Sequence, residues 1–276
     1  MKMAVFDEKY ADPRSTEELI RLALSERDED MVGELVSALH CRGSREVLEA
    51  ARQLCQSESA PERELGVTIL GQLGVPSRSF PEECFDCLQA MLRTESDPDT
   101  LQAIAIAFAN LKNPRCVQLL LPFKSHPSDI VRWGVANGLS GHDDPEAIQA
   151  LIELSCDEDE EIRDWATFGL GSLTEADTEE IRAALWARLD DPCPDAHAEA
   201  MVGLARRKDP RIFARLEREL AEEDVDITAI DAAEELGDSR LISALLNLKE
   251  RWPKERLEEE EWLDRAIASC LRGLPE

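Results

Sequence analysis

Aromatic residues are scarce in this chain, at 5% of its 276 residues, and there is a single Tyr. Extended alternations of Val, Ile and Thr are missing as well, so no segment reads as a half-buried strand. Ala, Leu, Glu and Arg dominate instead, which favours helices throughout. No run of 18 apolar residues occurs, and a membrane-spanning helix needs about that length. The opening "MKMAVFDEKYADPRS" has one short apolar stretch followed by acids. Neither a signal nor a transit peptide is expected there, and a cytoplasmic protein is.

Positive charge is also in short supply. Against 59 Asp and Glu stand 31 Lys and Arg, a net charge of −28. Residues 1–138 hold 22 of the acids and 15 of the bases, which leaves −21 to the second half. A field of this sign repels phosphate and attracts a basic protein, so nucleic acid and anionic membranes are excluded as expected partners. The eight Cys residues are dispersed, mostly on apolar helix faces such as "AARQLC" and "AIASCL". That is the usage of reduced, buried thiols rather than of a disulfide framework.

What the chain does contain is a repeat. A nine-residue phrase ending in Leu occurs eight times: MVGELVSAL (31–39), LGVTILGQL (65–73), AIAIAFANL (103–111), VRWGVANGL (131–139), IRDWATFGL (162–170), AHAEAMVGL (196–204), TAIDAAEEL (228–236) and LDRAIASCL (263–271). Places 1, 5 and 6 are apolar or small, and places 1, 5 and 9 share one face of an α-helix. Between the copies lies a second helical pattern with its own start signals at Ser44, Pro81, Pro114, Pro145, Thr178 and Pro210. "KNP", "GHDDP", "KDP" and "LGDS" supply the turns. Each unit is therefore read as two antiparallel helices of about three turns, which must stack on neighbours to bury their apolar faces.

The stretches "SDIVRWGVANGLSGHDDPEAIQALIEL" (128–154) and "DEDEEIRDWATFGLGSL" (157–173) resemble the HEAT-repeat family, and within it the phycobilisome-lyase type of HEAT-like repeat. Other copies match only in spacing and apolar places, and carry Val32, Gly66, Ile104, His197, Ala229 and Asp264 where the family has Arg. The resemblance implies an all-α, right-handed α-α superhelix, an α-solenoid of about eight helix pairs. One domain over 1–276 is expected, with 1–14 as an N-terminal cap or tail and 240–276 as a capping repeat. It also implies a second functional reading, that of a phycobilin lyase or chaperone-like factor.

No catalytic apparatus is visible. His40, His126, His142 and His197 fall in four different repeats, none with a Ser or Cys at a spacing a helix would bring together. Cys84 and Cys87 form a CxxC within a helical pattern, without the further ligands of a zinc site, and are read as packing thiols. "DEDEE" (157–161) lacks the Gly and the terminal Glu of a calcium loop. Neither a metal nor a cofactor is expected. The resemblance implies that Arg132 and Arg163 are structural partners of an acid near their own helix start or in the neighbouring repeat, with Asp129 and Asp159 in the expected places. Trp186 is read as core, and "ERLEEEEW" (255–262) as the polar outer face of a terminal repeat.

If places 1, 5 and 9 pack inward, places 3, 4 and 7 project from the second helix of each pair, which lines the concave side of stacked HEAT repeats. The middle of that stripe is aromatic and small, its later part acidic. Trp133, Asn137, Asp164, Trp165, Phe168, Glu199, Asp231 and Glu234 are the candidate partner-binding residues, an apolar centre rimmed by carboxylates. For Trp133 and Trp165 a second reading stands beside this one, that they fill gaps between adjacent repeats. The expected function is a non-enzymatic scaffold whose acidic groove binds and neutralises a basic-patched protein, as an immunity or antitoxin-like inhibitor does.

Overall fold

The computed structural model describes residues 12–252 and 260–272, which contain sixteen α-helices and no strand. They fall into two units. In Met1–Leu139 these are α1 (Thr16–Ser25), α2 (Glu29–Arg42), α3 (Arg45–Leu54), α4 (Ala60–Gln72), α5 (Pro81–Leu92), α6 (Pro98–Leu111), α7 (Cys116–Leu120) and α8 (Asp129–Leu139). In Ser140–Glu276 they are α9 (Pro145–Leu154), α10 (Glu160–Phe168), α11 (Glu179–Arg188), α12 (Pro194–Arg206), α13 (Phe213–Glu219), α14 (Ile227–Leu236), α15 (Ile242–Glu250) and α16 (Glu260–Arg272). Odd and even helices pair, and within each unit successive even helices pack on one another. Each unit is thus an all-α solenoid of four helix pairs. The expected cap over 1–14 falls mostly on residues outside those described, as does most of "ERLEEEEW".

Local chemistry explains where the helices begin. Ser15, Asp28, Ser44, Asp97, Asp144, Asp159, Thr178 and Asp226 each accept a backbone N–H of the first turn on their side chain. Those N–H groups have no partner inside the helix, so each cap is worth about 1 kcal/mol. Proline opens α5, α6, α9 and α12, where its missing N–H costs nothing. Pro122 has the opposite effect after α7, which runs for five residues and ends in a 3-10 turn over Leu121–Phe123. α10 continues into a π-helical turn, Gly169–Leu173.

The caps also correct the register of two repeat copies. Asp28, Asp159 and Cys193 stand three residues before copies one, five and six, whereas Ser59 and Asp97 stand six before copies two and three. Those two frames therefore begin one helical turn late, and the equivalent segments are 62–70, "ERELGVTIL", and 100–108, "TLQAIAIAF". Place 1 lies at the third helical residue, where a polar side chain can be satisfied locally. Glu62 accepts from Ser57 Oγ at 2.5 Å, and Thr100 Oγ1 donates to Asp97 at 2.9 Å. The apolar rule relaxes there, and a pattern search slides to the next turn.

In the corrected register Arg63 stands where Arg132 and Arg163 do, and the three behave alike. Arg63 donates to the carbonyls of Ser57 and Glu58, Arg132 to those of His126 and Pro127, and Arg163 to those of Asp157 and Glu158. Arg63 also pairs with Glu95 at 2.7 Å and Arg163 with Asp191 at 2.9 Å. Each of these acids lies in the turn between the two helices of the following repeat. His197 takes the same place in α12, with Nδ1 2.7 Å from Leu189 O and Nε2 3.4 Å from Glu219. The expected acids do something else. Asp159 caps α10, and Asp129 accepts the N–H of Ile130. An N-cap carboxylate is committed to its own helix, so the strap reaches to the next repeat.

Candidate functional site

Places 3, 4 and 7 do not all project. Gly134, Ile230 and Ala266 are buried, and Val67, Gly71 and Ala105, which the uncorrected frames of copies two and three put at such places, are buried as well, because the even helices approach one another there. A Cβ at Gly71 would meet Ala107 Cα at 2.9 Å, and one at Gly134 would meet Gln102 Cα at 3.1 Å. The eight candidate contact residues are all half-buried. Trp133 and Asn137 lie on α8 in the first unit, and the other six lie in the second.

Within the second unit the candidates gather along α10, α12 and α14. Trp165 and Phe168 meet edge to face, centroids 5.6 Å apart, a geometry that suits the ring quadrupoles. Beside them Asp164 is surrounded by carboxylates. Burial raises its pKa to about 6, and the negative charges of Asp195, Glu199 and Glu161 push in the same direction. Glu199 is likewise raised by burial and by Asp195, against the pull of the Ser172 hydroxyl, which donates to it at 2.8 Å. Asp231 is raised by burial and by Glu234, though Arg265, 3.3 Å from Glu234, opposes this. The acidic field is thus strongest around Asp164 and partly neutralised at Asp231.

Glu161 and Asp195 were not among the expected residues, yet they complete the acidic patch. The signal for the pair was present: Asp195 lies one repeat period after Glu161, and stacked repeats bring such positions together. Trp186 corrects the sequence reading, being 39% exposed on α11 with the Arg211 guanidinium 5.0 Å above its ring. A residue on the outer helix of a pair can rest under an arginine stem rather than inside the core. Among the described residues no group of three or more His, Cys, Asp or Glu is placed to hold a metal ion, and no helix is long and apolar enough to cross a membrane.

The Asp164 environment gives a pH prediction with a definite sign. A carboxyl whose folded pKa lies above its unfolded value of 3.8 binds more protons in the native state. Its destabilising effect is absent below about pH 4 and grows as pH rises through about 6. Asp164→Asn is therefore expected to melt above the parent chain at pH 8 and together with it near pH 4, measured by thermal denaturation across that range. An advantage independent of pH would remove the charge argument.

Residues 85–171 match the family model described as HEAT repeats. Protein YibA of Escherichia coli is 29% identical over 213 residues, which is 75% of this chain and 75% of that protein. The X-ray structure of YibA superposes with a TM-score of 0.71 at 23% identity, over 95% of this chain and 98% of that one. Karyopherin Kap121p bound to the SUMO protease Ulp1p gives 0.65 at 13% identity, over 93% of this chain and 33% of that one. The CpcE and CpcF complex of phycocyanin lyase from Nostoc sp. PCC7120 gives 0.48 at 18% identity, over 82% of this chain and 94% of that one. At that score it adds no argument for a bilin-related activity.

Proposed function

Because the chain is a HEAT-repeat protein, similar over most of its length to YibA, we propose that it is a non-enzymatic scaffold that binds a basic-patched protein. In this reading the stripe of α10, α12 and α14 in the second unit sequesters or neutralises its partner, as an immunity or antitoxin-like inhibitor would. The observation that carries the reading is Asp164, half-buried and crowded by Asp195, Glu199 and Glu161. Such crowding lowers stability at neutral pH, and residues that break a local rule without a structural gain are expected at functional positions. A cation from a partner would relieve it. Trp165 and Phe168 beside it supply the rigid apolar contact that anchors an interface. Kap121p, a structure of similar fold, is itself seen with a protein ligand.

The test is capture on the immobilised chain, purification of the captured protein, and titration of the purified pair at increasing ionic strength. Affinity is expected to fall at least about tenfold between roughly 50 and 500 mM salt, since rim charges act over a Debye length of about 10 Å at 0.1 M. Trp165→Ala is expected to weaken binding at every salt concentration. A salt-independent affinity, unchanged by Trp165→Ala, would place the partner on another face.

A further inference from the structure

In the first unit a cavity of about 760 Å³ opens between the end of α3, the start of α4 and the face of α5, with Arg52, Cys55, Arg63, Glu83, Cys87 and Met91 in its wall. Cys55 stands where the chain leaves α3, and Cys87 lies on α5 in the following repeat. Both line the wall of this one cavity, close enough for the charge on one sulfur to act on the other. The partner that the sequence offered Cys87, Cys84, is fully buried and directed instead to Ser79 O at 3.9 Å. Cys55 Sγ rests on Gly66, where an added Cβ would come within 2.9 Å of it. The two sulfurs are therefore placed by packing, one almost buried and one half-buried at the cavity wall.

We propose that Cys55 and Cys87 are a peroxide-sensitive dithiol that closes to a disulfide linking consecutive repeats when a hydroperoxide enters this cavity. Cys87 is the attacking sulfur. The neighbouring Cys55 thiol and the Arg52 guanidinium, both in the same cavity wall, together hold it below the ordinary thiol range against burial and the Glu49 charge. Thiols placed only for packing behave differently here: burial pushes Cys84 and Cys116 up to about 12. A thiolate near a cation is the reactive form of cysteine.

In the first step Cys87 thiolate attacks one peroxide oxygen, the O–O bond breaks, and the departing alkoxide or hydroxide takes up a proton. Cys87 is left as a sulfenic acid. In the second, Cys55 loses its proton, its sulfur attacks Cys87 Sγ, and hydroxide leaves as water. Two thiols and one hydroperoxide give one disulfide, one alcohol (water, for hydrogen peroxide) and one water; the peroxide gains the two electrons the sulfurs lose. The sulfurs close to about 2.05 Å, which the position of Cys55 at a helix end, rather than inside one, permits.

The experiment uses the intact, reduced chain, treated with a few equivalents of hydrogen peroxide, blocked with N-ethylmaleimide and digested with trypsin. Mass spectrometry is expected to find peptide 53–63 joined to peptide 79–93, released by dithiothreitol. Cys84→Ser should retain the cross-link, while Cys55→Ser and Cys87→Ser should each lose it. In Arg52→Gln, where the cation and the tryptic site before Gln53 are both gone, the link is read as peptide 46–63 joined to 79–93 and should form about fivefold or more slowly. The exposed Cys156 serves as the internal standard for an ordinary thiol. Oxidation of Cys156 before any 53–63 to 79–93 link forms overturns the proposal, as does a Cys84–Cys87 bond in the parent chain. Both readouts come from the unmutated protein, so they stand even where a variant folds poorly.

Discussion

Replacing Arg207 with alanine is expected to cost about 3–5 kcal/mol, the range found when one partner of a buried charged network is removed. Arg207 follows the last residue of α12, and its side chain is 6% exposed. Its guanidinium donates to five carbonyls, those of Leu170 at 2.7 Å, Gly171 at 3.0 Å, Gly203 at 3.0 Å, Thr174 at 3.2 Å and Ala176 at 2.9 Å. Most of these belong to the π-helical turn and the loop after it, the end of the preceding second helix. The last carbonyls of a helix have no partner within it, so one side chain caps one repeat from the next. Alanine would strand several acceptors at about 1–3 kcal/mol each where water cannot reach them. Lysine would recover only part, because three donors on a point do not match a planar fork.

For a domain of this size, 1 kcal/mol moves the melting midpoint by roughly 2–4 °C, so Arg207→Ala is expected to melt about 10 °C or more below the parent chain. Arg206 beside it provides the control. It is exposed and donates to Ser172 O at 2.7 Å, and its removal should cost less than about 1 kcal/mol. Urea denaturation of both variants decides the matter. An Arg207→Ala loss no larger than that of Arg206→Ala would mean that water reaches the five carbonyls after all.

The solenoid was legible because its apolar period is written eight times, and because Asp, Ser, Thr and Pro announce helix starts directly. Register at copies two and three was not, since Glu62 and Thr100 replace an apolar residue where the first helical turn can satisfy a polar one. The acids that bind Arg63 and Arg163 were out of reach for a different reason. Glu95 and Asp191 lie in the next repeat, and a local reading favours the nearer Asp159, which the helix N-terminus has already claimed. The Cys55 and Cys87 pair was hidden in the same way, behind a nearer CxxC. For the site, aromatic and acidic places were readable on α10, α12 and α14, but not which small places the neighbouring helix would cover. That depends on backbone approach, as where a Cβ at Gly203 would fall 2.6 Å from Gly171 Cα.

Reversing the charge at Asp164 and Glu199 together, each to arginine, is expected to lower affinity for the basic partner by about a hundredfold or more. Removing one member of a desolvated charge pair costs about 2–5 kcal/mol at an interface, and here the attraction becomes repulsion. The same change should leave the chain as stable as before or more stable at pH 8. Asp164 sits in a field of other carboxylates, Glu199 is raised by burial and Asp195 against Arg206, and new cations there would meet Asp195 and Glu161. Opposite signs for binding and stability are the signature of a site maintained for a ligand. A structural acid would lose stability, and an idle one would lose nothing. Asp231→Asn provides the graded comparison, since Arg265 already offsets the charge beside it, and its effect on affinity should be several-fold smaller. The measurement is a titration of the purified pair alongside thermal melts of each variant. Equal affinity in parent and doubly reversed chain would show that the acids on this stripe serve solubility alone.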